Sequence, residues 1–272
     1  IMQYVVLYRY TEIIIVLNNY DLETLAEVND LSRNYPTVKI YEANVNNCSC
    51  ATNFGIAKAE TNIIMRMDAD DIAHPQRAEL QLRLIDGGAD IVGSSIQSFG
   101  AAKNKWRVHK TDPYLKSLSL FESPLPGPTL TFINSDKLRY VPGYNYGEDR
   151  AFLFNAIQNN FKLAGVSNCP LRYRVRNDSL SNKSMTADEL KTNNRILEKL
   201  NSKHWNLVFG EKQLEKIYSS IQRGDINQAA SLMNVYDVNQ NYLKHRLITS
   251  GFVKKNSVAR KWIKMKSFLI EK

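Results

Sequence analysis

The chain has 272 residues, 43% hydrophobic and 23% charged, which is enough apolar material for a sizeable core in one domain or in a domain with an appendage. No apolar run reaches the roughly 20 residues of a bilayer-spanning helix, because Arg9 and Glu12 interrupt YVVLYRYTEIIIVL, and no signal-peptide pattern is present. The net charge of +9 is uneven: residues 1–185 carry 20 Lys+Arg against 19 Asp+Glu, while residues 186–272 carry 16 against 8.

Strand-like and helix-like stretches alternate over the first 185 residues, the pattern of an α/β fold with a mostly parallel sheet flanked by helices. Strands are expected at 12–17, 38–43, 62–67 and 89–95, and helices at 22–35, 49–60 and 75–86. In the third helix Pro75 suits the first turn, and Ala78, Leu82 and Ile85 share one face. A polar, Pro-rich passage around 121–132 follows, then a helix over 146–161 opening on Glu148 and Asp149, then a strand and polar loop over 171–184. From residue 186 the pattern is helical throughout, which predicts two units, 1–185 and a basic helical C-terminal region at 186–272. Cys48, Cys50 and Cys169 are odd in number and lack CxxC spacing, so they read as structural or incidental thiols of a cytoplasmic protein.

The apolar run at 62–67 stops at Asp68, Asp70 and Asp71. In an open α/β sheet ligands sit beyond the carboxyl ends of strands. Three crowded carboxylates repel one another, and a hard divalent cation relieves them. Mg²⁺ or Mn²⁺ takes one or two such groups and fills its remaining positions with water and phosphate oxygens. The competing reading is a solvated loop in which Asp71 caps the next helix. Glu148 and Asp149 have a similar alternative, as ordinary acidic residues at a helix N-terminus.

Residues 53–81, NFGIAKAETNIIMRMDADDIAHPQRAELQ, resemble the donor-site segment of family 2 glycosyltransferases, inverting GT-A enzymes that use nucleotide-activated sugars. The matching positions are Asn53, Gly55, Ile56, Asp68, Asp70, Asp71, Pro75, Arg77 and Gln81, and the likeness runs over roughly residues 10–182. It implies that Asp68 lies near the nucleotide ribose and that Asp70, with Asp68, holds a Mn²⁺ or Mg²⁺ ion bridging the diphosphate. It also implies that Asn18, Asn53, Arg66 and Arg77 line the donor side, with a UDP-sugar as the expected donor. Asp149, with Glu148 beside it, falls where the family has its base, which takes the acceptor's proton as the hydroxyl attacks. Arg150 and Arg174 are candidates for phosphate or acceptor contacts, Arg174 equally for a structural ion pair, and Ser179 and Ser181 fall in a loop of the type that closes over donor.

The chain departs from that family in three places. The usual first strand with its Pro-x-Tyr-Asn turn is not found before Ile1, so an N-terminal strand is expected to be missing. Leu17, Asn18, Asn19 and Tyr20 stand where Asp-Asp-x-Ser is common, and Gly127-Pro128 stands where His-Pro is frequent. His74, His109, His204 and His245 share no metal-ligand spacing.

The resemblance implies transfer to a hydroxyl of a glycan or lipid-linked acceptor in surface polysaccharide synthesis. A sugar-phosphate nucleotidyltransferase would want a Gly-rich basic phosphate loop after its first strand, and none occurs. A nucleic-acid binder is suggested by pI 9.3, but the excess charge is confined to the tail and no nucleic-acid motif is present. Residues 244–272 carry nine basic residues against one acidic, and a helix over 257–271 would align Val258, Trp262, Met265 and Leu269. That tail is expected to meet an anionic membrane surface, placing the protein at the inner face of the plasma membrane.

Overall fold

The computed structural model describes residues 12–45, 47–144, 146–176 and 187–250. The first strand, β1 (Ile13–Leu17), pairs in parallel with β2 (Val38–Glu42) across helix α1 (Leu22–Asn34). Helix α1 begins where the Asp21 side chain accepts the Thr24 N–H at 2.7 Å, and α2 (Cys48–Lys58) begins where Asn47 accepts from Cys50 at 3.0 Å. Each cap satisfies one of the amide groups that a helix start leaves unbonded. Helix α2 crosses β1 closely: a Cβ on Gly55 would lie 2.9 Å from a Val16 methyl.

The main sheet runs β3 (Ile63–Met65), β7 (Thr131–Ile133), β5 (Ile91–Gly100), β8 (Leu163–Val175) and β4 (Ile72–Ala73), with β6 (Lys105–Trp106) on the free part of β5. Its longest ladder, β5 with β8, is parallel, as is β1 with β2; the pairings β3–β7, β4–β8, β5–β6 and β5–β7 are antiparallel. The expected α/β class therefore holds, with helices α3 (Arg77–Asp86), α4 (Asp112–Ser119) and α5 (Glu148–Gln158) packed on a mixed sheet. Helices α6 (Ala187–Phe209), α7 (Glu211–Gln222), α8 (Ile226–Met233) and α9 (Gln240–Thr249) form the helical C-terminal part.

Several elements differ from expectation. The strand expected at 89–95 continues to Gly100 because β8 supplies a partner along its whole length. The strand expected to open the 171–184 stretch starts earlier, at Leu163, and runs to Val175. The Pro-rich passage holds a 3₁₀ turn, Gly127–Thr129, and then strand β7. Pro75 lies two residues ahead of the first helical residue of α3. The expectations for the N-terminal strand, Ser179, Ser181 and the tail helix at 257–271 fall outside the described residues.

Two hydrophobic cores meet at α4. Leu115 packs with Ile91, Leu125, Phe132, Tyr140 and Phe152 between sheet and helices. Leu120, just past the helix, packs instead with Trp205, Ile217, Ala230, Met233 and Leu247 of the helical part. Trp205 fixes that junction by donating its indole N–H to the Leu120 carbonyl at 2.8 Å. Among the described residues no helix is long and apolar enough to cross a membrane.

Candidate active site

Strand β3 hands its direction to the acidic turn. The Arg66 N–H donates to the Leu130 carbonyl at 2.8 Å, continuing the contact with the β7 side, and the chain then turns as Asp71 N–H bonds the Asp68 carbonyl at 3.2 Å. Behind the turn lies Arg77, 0% exposed. Its Nη2 donates to the Arg66 carbonyl at 2.6 Å and the Pro128 carbonyl at 3.0 Å, and its Nε to Gln81 Oε1 at 2.9 Å. Gln81 in turn donates to the Thr129 carbonyl at 2.6 Å. A buried guanidinium is tolerated only with such bonds. Arg77, expected on the donor side, thus clamps two backbone segments from behind the site.

Arg66 sits in front of them. Its guanidinium pairs with Asp149 and also reaches the Tyr140 hydroxyl at 3.1 Å and Asp68 at 3.4 Å. Burial works against its charge, but Asp149, Tyr140 and Asp68 together hold it protonated well above its ordinary value. Tyr140 is pushed upward by burial and so stays a neutral phenol. Asn53, another expected donor residue, spends both ends of its amide on Tyr140, accepting from its N–H and donating to its carbonyl at 2.8 Å each. Sequence reading did not single out Tyr140; its only signal was a large aromatic near the Gly143 turn.

Asp149 stands in the first turn of α5, after Gly147 in the left-handed region at φ 76°. Its carboxylate lies directly over Gly127: a Cβ there would overlap the carboxylate oxygens. At this position the absence of a Cβ leaves room for the Asp149 carboxylate in this pose. Glu148, beside it, is pushed up by burial and then by the Asp149 charge.

The three acidic residues of the turn divide their roles. Asp71 is 4% exposed; one oxygen accepts the Arg174 N–H at 2.8 Å, while the other is buried without a hydrogen-bond partner. Burial pushes its pKa up to about 7 against that hydrogen bond. Asp68 and Asp70 keep partly exposed carboxylates. Burial raises Asp68, Arg66 lowers it, and the neighbouring Asp149 and Asp70 charges raise it again. Asp70 pairs with Arg176 at 3.4 Å, and its carbonyl accepts from Arg174 Nε at 2.8 Å. Among the described residues no three His, Cys, Asp or Glu side chains converge as a closed metal cage. Two accessible, mutually repelling carboxylates fit a Mg²⁺ or Mn²⁺ ion that keeps its other positions for phosphate and water.

Two further expected residues make contacts of their own. Asn18, at the end of β1, accepts from the Val45 N–H at 3.2 Å. Arg150 is buried, its guanidinium 5.2 Å from the Phe154 ring centre, with Nε and Nη2 lacking hydrogen-bond partners, so it is packed inside the protein rather than presented at its surface. Cys48 and Cys50 are free thiols.

An acidic turn at a strand end, faced by a carboxylate on a helix N-terminus, is the arrangement of a GT-A glycosyltransferase. The chain belongs to glycosyltransferase family 2, whose profile, Glycosyl transferase family 2, matches residues 3–161. It is 27% identical over 177 residues to the O-antigen biosynthesis glycosyltransferase WbnJ of Escherichia coli, covering 62% of this chain and 69% of that protein. The crystal structure of S. aureus TarS 1-349 in complex with UDP-GlcNAc matches with a TM-score of 0.55 at 12% identity, over 95% of this chain and 82% of the other. The same TarS fragment without a named ligand matches at 0.51 and 13% identity, over 96% and 82%. These structural likenesses concern the fold.

Proposed function

We propose that this glycosyltransferase moves a hexosyl group, with inversion, from a nucleotide-diphosphate sugar to a hydroxyl of a glycan or lipid-linked acceptor in surface polysaccharide synthesis. The observation that carries the reading is Asp149, held over Gly127 and joined through Arg66 to Asp68. Asp149 takes the proton of the attacking hydroxyl, and Arg66 fixes its carboxylate at that station. Asp68 faces the donor ribose and, with Asp70, holds Mn²⁺ or Mg²⁺; when bound, that ion offsets diphosphate charge and stabilises the leaving group. A UDP-sugar is favoured as donor by the likeness to the TarS fold, solved with UDP-GlcNAc. Residues 1–185 carry the chemistry, and the basic stretch 244–272 brings the protein to the cytoplasmic membrane face where a lipid-linked acceptor would be met.

The test is Asp149→Asn, which keeps size and removes the proton acceptor. UDP should still bind, while sugar transfer falls by roughly 10² to 10⁴-fold. Transfer at the wild-type rate would move the base elsewhere, with Glu148 the first alternative.

A further inference from the structure

Beside the acidic turn the outer part of the main sheet is strongly basic. Residues 101–107 and 171–176 hold six basic side chains and no acidic one. Pairing gathers them on one face: Gln97 is the partner of Lys105 on one side and of Arg172 on the other, and Phe99 is the partner of Arg174. Directly paired residues, and residues two apart on a strand, project to the same face of a sheet. Lys105, Arg172, Phe99 and Arg174 therefore share a surface, which Arg176 continues toward the acidic turn.

The arrangement is more ordered than a solvated run of charge. The guanidinium carbons of Arg172 and Arg174 lie 4.7 and 4.6 Å from the centre of the same Phe99 ring. Arg174 is anchored further by donating its Nε to the Asp70 carbonyl, and Arg176 by its pair with the Asp70 carboxylate. Holding two guanidinium groups against one ring costs like-charge repulsion, which an anion placed between them would relieve. The planar donor forks suit a phosphate, which they bind in pairs of parallel hydrogen bonds. The surface ends at Asp70, so what it holds lies next to the transfer site.

We propose that this face binds a phosphate or diphosphate group carried by the acceptor. The inference rests on the transfer reading above and adds to it: the acceptor's charged end docks on Lys105, Arg172 and Arg174, and its sugar hydroxyl extends toward Asp149.

The experiment uses the full chain saturated with UDP and excess Mn²⁺, so that the donor site is filled. Geranyl diphosphate serves as a soluble phosphate-bearing probe, titrated calorimetrically into wild type and into the double variant Lys105→Glu/Arg172→Glu. Saturable binding to wild type is expected, weakened about tenfold or more in the variant, with UDP affinity unchanged as the control for folding. Equal probe affinity in the two proteins overturns the proposal, as does a parallel loss of UDP affinity, which would assign the effect to the donor site. Phosphatidylglycerol vesicles form the second arm: vesicle binding that the variant loses, without saturable binding of the soluble probe, would make this a membrane surface and overturn the proposal. Probe binding by a wild-type chain that fails to bind UDP would refute the proposed donor site while supporting the phosphate surface.

Discussion

The sheet-based part of the molecule and its helical end bury different chemistry. Around the sheet, Asp71, Arg77, Gln81, Ser94, Thr129, Thr131 and Arg150 are all buried. Among the described residues of α6 to α9, the buried polar side chains are His204 and Ser220, and the rest of that core is aliphatic and aromatic. Apolar packing is non-directional and tolerates exchange of similar volumes, whereas each buried polar group demands a partner at a set distance. The sheet side accepts that demand because its bonds fix where Asp68, Asp70 and Asp149 stand. The helical end has stability to provide and no comparable geometry to hold.

Substitutions on the two sides should consequently separate activity from stability. The largest effect is expected from Asp70→Ala, which removes a proposed cation ligand: the gain in UDP affinity on adding Mn²⁺, measured by calorimetry, should vanish. UDP binding that still strengthens with Mn²⁺ in this variant would reject Asp70 as a ligand. Next comes Gly127→Ala, whose methyl must displace the Asp149 carboxylate. A shift near 1 Å at a reacting group costs about 10²-fold in turnover, so sugar transfer should fall by that factor with UDP affinity retained. Unchanged turnover would show that the base is not held there.

On the helical side, Met233 is fully buried among Leu214, Ile217 and Leu247. Met233→Ala should cost about 2–5 kcal/mol in denaturant unfolding while leaving turnover unchanged in the folded protein. Loss of turnover without loss of stability would erase the contrast. The smallest effect concerns acid. His204 faces Ser119 Oγ at 3.0 Å, stacks on Phe154, and has Arg150 nearby. Burial first, then the Arg150 charge, lowers its pKa to about 4. A depressed imidazole binds its proton less readily folded than unfolded, so its contribution is complete above about pH 6.5 and is lost as pH falls toward 4. Wild type should therefore lose more stability than His204→Phe between pH 6.5 and 4, and parallel curves would dismiss His204 as the cause.

How far the sequence could be read depended on whether the information was local. The isoleucine run of β1, the helix-like stretch of α1 and the apolar run halting at Asp68 are properties of short windows, and they placed the α/β order and the acidic turn. Strand β7 has three residues and β4 two, too short for a period to show, and both exist through partners distant in sequence. Arg77 and Asn53 were placed on the donor side by the family resemblance, which matches positions along the chain and carries no information about what each side chain contacts. Their hydrogen bonds run to the 3₁₀ turn at 127–129 and to Tyr140, neither of which their own neighbourhood specifies. Arg150 misled for a geometric reason: one step along a helix rotates a side chain by about 100°, so the neighbour of Asp149 points into the packing against α6.

The seat of Asp149 over Gly127 couples these two positions sterically. With Asp149 in this pose, position 127 admits only the residue without a Cβ, so any larger side chain there, histidine included, requires the carboxylate to stand elsewhere. A laboratory search that varies position 127 alone would therefore meet the same carboxylate with every residue but glycine, and libraries randomising 127 and 149 together would be needed to sample arrangements that relieve the clash.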